Sequence, residues 1–282
     1  MKLVSFTRAG RPAYGVAIDD RIVDCSVALG SNYPTLRSAL AAGALGEIVG
    51  EASADGPSVA AADVVFLPPI PDPEKIICIG LNYRDHAVET NQTVLENPEV
   101  FMRMRNTLVG HGNPLVIPKV SSQLDYEGEL AIVIGKSGRY IRKEDALEHV
   151  LGYACFNDGS VRDFQFAHCI SVGKNFPGTG GFGPWIATRD EMPTPEDHTL
   201  STRVNGVELQ RSRLNMLIRD VATTVAYVSV FTRLEVGDLI PTGTPKGVGF
   251  ARKPQLFLKP GDTVEVEVSG LGTLRHPVVA EA

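Results

Sequence analysis

Apolar positions along this chain fall mostly in short runs separated by turn residues, so the pattern predicts many strands and few helices. Residues 2–6, 13–18 and 21–24 read as strands, with Asp19-Asp20 as a hairpin turn. Residues 36–45 carry a short helical period, and residues 51–62, rich in Ala, Ser, Gly and Asp without an apolar period, read as a linker or exposed loop. The β-branched run 75–80 is a buried strand, as are 130–134 and 151–157, with a short helix over 143–150 between the last two. Asn205-Gly206 between two alternating segments is a strong hairpin signal. Residues 214–234, free of interior Gly and Pro and apolar on one side, predict the longest helix. Strands at 263–268 and 274–279 follow. The boundary near residue 66 divides a small leading module, 1–66, from a main body, 67–282.

Polar residues interrupt this pattern in a few informative places. Glu127 and Glu129 stand two apart at the mouth of the 130–134 run, and a strand's period of two puts both carboxylates on one face. Asp158 follows the 151–157 run in an Asn-Asp-Gly turn. Three gathered carboxylates repel one another unless a cation neutralises them, and an all-oxygen set suits hard divalent ions. The same Glu-x-Glu spacing also fits the wet face of an edge strand, so spacing alone leaves both readings open. His86 and Glu89 are three apart, which on a helical turn lets the carboxylate hold the imidazole, as a water-activating base requires and as a surface ion pair also allows. Asp125 shares the glutamates' parity and reads as a strand-entry residue bound to backbone amides. Arg103, among bulky apolar residues, either meets an anionic ligand or snorkels. His111, between two glycines, reads as an exposed loop histidine. The glycine-rich stretch 178–185 is not a dinucleotide loop, because Pro184-Trp185-Ile186 suggests a strand where that motif needs a helix. The loop 240–249 offers amides and hydroxyls that could bind an oxyanion or serve only as turn chemistry.

Composition narrows the setting. Twenty-seven Lys and Arg against 33 Asp and Glu give a net charge of −6, and without a basic block this excludes a nucleic-acid partner. No apolar segment approaches bilayer length, and the first residues turn polar too soon for a signal peptide. Four cysteines without a CxxC spacing imply neither a zinc site nor a disulfide framework, and cytoplasmic, reduced thiols are expected.

The segments GLNYRDH, DYEGELAIVIGK, NDGSVRDFQ, GKNF and TGTPKGVG, in this order, resemble the fumarylacetoacetate hydrolase family from about residue 75 to 279. The resemblance implies a strand-rich α+β fold, a mixed β-sandwich roll with few helices and a small N-terminal domain, assembled as a homodimer. It implies that Glu127, Glu129 and Asp158 bind Mg²⁺ or Mn²⁺, that His86 with Glu89 activates water from a mobile lid segment, and that Lys174, Gln165 and Thr244 line the substrate pocket. Arg103 stands where many members have Lys, where it would meet a substrate carboxylate with fork geometry. Gly159 and the stretch 176–181 also depart from the family pattern. The activity so implied is metal-dependent hydrolysis of a C–C bond in an acylpyruvate-like 2,4-dioxo acid. Decarboxylation, isomerisation or hydration of a 2-oxo acid through the same enolate chemistry is the alternative, and a non-catalytic sugar- or metal-binding module is the rival of another class.

Overall fold

The computed structural model of the chain describes residues 1–53 and 56–282. Its backbone is a 12-stranded sheet, a 5-stranded sheet and a two-stranded ribbon, which is the strand-rich α+β architecture expected. At the centre of the large sheet, strand Gly128–Ile134 pairs antiparallel with Val150–Asp158 on one side and with Leu239–Pro241 on the other. Every residue of Gly128–Ile134 is buried, so the Glu-x-Glu pair does not decorate a wet edge.

Alternation along these strands builds two cores. Leu130, Ile132 and Ile134 face one side, where they meet Leu200, Val266 and Leu274 of the 5-stranded sheet and Val225 and Val228 of helix Val221–Phe231. Ala131 and Val133 face the other, with Ala154 and Phe156 of the neighbouring strand and Leu3, Leu36 and Leu40 of the leading residues. Glu127 and Glu129 share the parity of Ala131 and Val133, so the carboxylates continue an otherwise apolar face.

The leading residues do not make a sheet of their own. Lys2 and Leu3 pair with Ala187 and Ile186, which extends the large sheet through Arg11–Ile18 and Arg21–Asp24 to Ser58–Ala60. The segment expected to be a loop over 51–62 carries regular structure at both ends: helix Leu45–Ser53 runs into it, and Ser58–Ala60 pairs with Arg21–Val23. Part of that expectation, Ala54 and Asp55, lies outside the described residues. The helical period at 36–45 resolves into two helices, Leu36–Ala41, whose first turn is closed by reciprocal Thr35–Ser38 bonds, and Leu45–Ser53.

The long helix is shorter than its apolar pattern suggested. It spans Val221–Phe231, because the Asp220 side chain accepts the Thr223 amide and starts the helix there. Ahead of it, Leu214–Met216 is a 3₁₀ turn, and the Ile218 amide bonds to the Asn82 carbonyl instead of joining a helix. Residues 143–149 likewise form a 3₁₀ helix, Lys143–His149. The Asn205-Gly206 hairpin is present, with Val204 opposite Val207. No helix among the described residues is long and apolar enough to cross a membrane.

Ile132 is wholly buried at the junction of both sheets. Ile132→Ala is expected to lower unfolding stability by about 2–5 kcal/mol through lost contacts and a residual cavity. Urea denaturation with an unchanged slope checks this.

Candidate active site

Register brings the three carboxylates together. Gly128 opposes Asn157 and Glu129 opposes Phe156, and the Asp158 amide donates to the Glu127 carbonyl. Asp158 is therefore the last residue of a strand rather than part of a turn, and it sits beside Glu127 on the same face. One oxygen from each of Glu127, Glu129 and Asp158 lies within 4.8 Å of the others, and all three residues are buried.

Three cations meet this acidic cluster. Arg103 donates to Asp158 Oδ1 at 2.6 Å and to the Gly159 carbonyl at 3.0 Å. Arg162 bridges Asp125 and Glu127 and holds the Gln165 side-chain oxygen at 2.9 Å. Lys174 closes the ring, its ammonium donating to Glu127, to the Asp158 carboxylate and to the Asp158 carbonyl. Those bonds use all three of its N–H groups. Burial would draw the Lys174 ammonium down, but the Asp158 and Glu127 charges outweigh it and hold its pKa above the ordinary value.

Glu129 is treated differently. Its carboxylate has a single protein hydrogen bond among the described residues, from the Gly243 amide at 2.8 Å. Burial, then the charges of Asp158 and Glu127, push its carboxyl well above the usual range. Burial also opposes ionisation of Glu127, but Lys174 and Arg162 more than offset it and bring that carboxyl down to about 2. The set thus carries one carboxylate with no cation of its own, facing oxygen donors of the type hard divalent ions take. These residues fit such an ion.

Three amides of the loop 242–249, which its composition offered for a ligand, are taken by protein carboxylates. The Gly243 amide goes to Glu129, the Gly247 amide to both oxygens of Glu89 at 2.9 Å, and the Gly249 amide to Asp125 at 2.8 Å. Asp125 thus binds backbone amides as expected, and it also carries Arg162, which sequence reading passed over. The Thr244 hydroxyl donates to the Gly128 carbonyl, fixing the loop to the glutamate strand.

Helix Arg84–Glu89 places His86 and Glu89 side by side, with Nδ1 3.4 Å from the Glu89 carboxylate. Burial of Glu89 is outweighed by hydrogen bonds from His86 and Gly247, so its carboxyl lies below the ordinary value. His86 Nε2 makes no hydrogen bond among the described residues. His86, the three acids, Lys174, Gln165 and Thr244 line one cavity, walled by Ile79, Phe101 and Phe250. Arg103 is not part of that lining. Its side chain is wholly buried behind Asp158, with Thr107 and Thr179 as further partners, so it holds a protein carboxylate where a substrate carboxylate was expected. His111 is half-buried against Phe66 and accepts the Arg275 amide, rather than standing free in a loop.

Residues 75–279 match the family described as fumarylacetoacetate (FAA) hydrolase, C-terminal. The chain is similar to a Xenopus laevis protein named oxaloacetate tautomerase fahd2, mitochondrial, with 42% identity over 221 residues, 77% of this chain and 69% of the relative. Among solved structures it resembles the fumarylacetoacetate hydrolase of psychrophilic Exiguobacterium antarcticum, at 36% identity and a TM-score of 0.89 over 100% of both chains. It also resembles the maleylpyruvate hydrolase of Sphingobium sp. SYK-6 in complex with manganese(II) and pyruvate, at 28% identity and a TM-score of 0.85 over 100% of both chains. The chain belongs to the fumarylacetoacetate hydrolase family and is an enzyme of that family.

The Glu129 environment has a pH signature. An unfolded glutamate releases its proton near pH 4.3, roughly, whereas the folded protein keeps the Glu129 proton to higher pH. Between those points the folded state binds more protons, so metal-free stability falls as pH rises through that window. Glu129→Gln removes this loss. Without metal, its melting temperature is expected to exceed that of the wild type by a margin that widens from pH 4.5 to 7, as read by scanning calorimetry.

Proposed function

We propose that this enzyme interconverts the enol and keto forms of a small 2-oxo acid, with a divalent cation, Mg²⁺ or Mn²⁺, held by Glu127, Glu129 and Asp158. The observation that carries the reading is the buried three-carboxylate cluster in one cavity with an imidazole whose Nδ1 is held and whose Nε2 is free. The similarity to a relative named oxaloacetate tautomerase supports it. When bound, the cation supplies the positive charge that acidifies the C–H bond beside a 2-oxo group.

The chain's own residues do the rest. Glu89, itself fixed by the Gly247 amide, keeps the His86 Nδ1–H in place so that Nε2 can take a proton. The imidazole accepts the proton from C3, and the resulting imidazolium returns it to the C2 oxygen; atoms and charge balance with no water consumed. Lys174 holds Glu127 and Asp158 in place rather than donating to substrate, because its N–H groups are committed. Gln165 and Thr244 border the substrate, and Ile79, Phe101 and Phe250 keep the site dry.

Hydrolysis of an acylpyruvate-like acid is the second reading. The same His86–Glu89 pair suits it, and so does the similarity to a maleylpyruvate hydrolase. One assay separates the two: enol oxaloacetate and an acylpyruvate are each mixed with the Mn²⁺-loaded enzyme, enol loss is followed by ultraviolet absorbance and pyruvate release by NMR. The expected result is metal-dependent enol conversion that falls about 100-fold or more in His86→Ala, without pyruvate release. Pyruvate release from the acylpyruvate, with no enol conversion of oxaloacetate, would overturn the tautomerase reading in favour of hydrolysis.

A further inference from the structure

Beside the acidic cavity lies a second one, and the two share Gly80, Leu81, Gln92 and Glu99 along their common wall. Arg219 also lines the second cavity. This half-buried arginine makes no ion pair among the described residues; its Nη2 donates to the carbonyls of Leu95 and Glu96 at 2.6 and 2.9 Å. Burial draws its guanidinium below the ordinary value, with no carboxylate to offset that. The other buried arginines near the site, Arg103 and Arg162, are each saturated by acids of the protein itself.

The arginine is held in position by its backbone. Its amide donates to the Asn82 side-chain oxygen at 2.9 Å, while the Asn82 amide nitrogen donates back to the Arg219 carbonyl at 3.1 Å and to Thr242 at 2.9 Å. Asn82 thereby ties Arg219 to the strand end Gly80-Leu81 that borders both cavities and to the loop that anchors Glu129. Leu81 adopts a φ of 50°, in the left-handed region, at this junction. Of the two charged residues lining the second cavity, Glu99 at the common wall disfavours an anion and Arg219 attracts one.

The geometry points to Arg219 as the residue that selects substrates bearing a second, distal carboxylate. This deepens the reading given under Proposed function and rests on it for the placement of the 2-oxo end. A guanidinium with Nε and Nη1 unspent matches a carboxylate in fork geometry.

Binding to the Mn²⁺-loaded enzyme tests this with a readout other than turnover. Calorimetry would compare pyruvate with 2-oxo dicarboxylic acids of four to six carbons in wild type, Arg219→Met and Arg219→Lys. The wild type is expected to bind at least one dicarboxylate more tightly than pyruvate. Arg219→Met should weaken that dicarboxylate about 10- to 100-fold and pyruvate less than about twofold, with Arg219→Lys intermediate. Equal binding of pyruvate and every dicarboxylate by the wild type would overturn the proposal. So would an equal loss for both ligands in Arg219→Met, which would mean that the arginine merely holds the Leu95-Glu96 loop. Enol turnover is scored separately, so selective binding without turnover would sink the tautomerase reading and leave Arg219 standing.

Discussion

Asp125, Glu127, Glu129 and Asp158 are buried together with Arg103, Arg162 and Lys174, four acids against three bases, and the rest of the structure accommodates that imbalance. Buried charges are tolerated only when paired and hydrogen-bonded. Arg103, Arg162 and Lys174 account for Asp158, Asp125 and Glu127, and Glu129 is left without a base of its own, its carboxyl held well above the usual range. The protein thus holds an acid at the centre of its largest sheet that it does not itself neutralise. A dication at that point would meet the one acid left without a base, which makes the missing base, more than any one ligand, the physical basis of the site.

The loop 242–249 turns this cluster into a site with an address. Three of its amides fix three carboxylates of different jobs: Glu129 in the cluster, Glu89 behind the imidazole, and Asp125 beneath Arg162. Gly243 and Gly247 have φ values of 96° and 108°, which lets the backbone aim successive N–H groups at these acids. A single loop therefore couples the position of His86 to the position of the acidic cluster, although the two come from distant parts of the chain.

Much of this was legible in the amino-acid order, and what was not has a physical reason. Period-two spacing located Glu127 and Glu129 on one face, and a helical turn paired His86 with Glu89, because both relations are local. The division of labour among the cations was not legible, since it depends on contacts such as that of Arg103 with Asp158, 55 positions apart. Three departures from the family pattern, Arg103, Gly159 and the glycine-rich stretch after Phe176, turn out to be one arrangement. The forked guanidinium bonds Asp158, the Gly159 carbonyl and Thr179, and it lies against Gly180, where a Cβ would come within 2.9 Å of Nη2. At Gly159 a Cβ would meet the Thr179 carbonyl at 2.2 Å. Sequence reading set Arg103 against a substrate carboxylate; the arrangement serves the protein's own aspartate. The over-long helix at 214–234 was misjudged for a related reason: an apolar period does not reveal that Asp220 caps the helix while Ile218 and Arg219 bond to Asn82.

The charge imbalance at Glu129 is tested most directly by anomalous diffraction from crystals soaked in manganese. A single peak coordinated by oxygens of Glu127, Glu129 and Asp158, beside the His86 ring, is the predicted result. An unoccupied cluster with Glu129 still bound only to the Gly243 amide, or a peak held by other residues, would contradict the account.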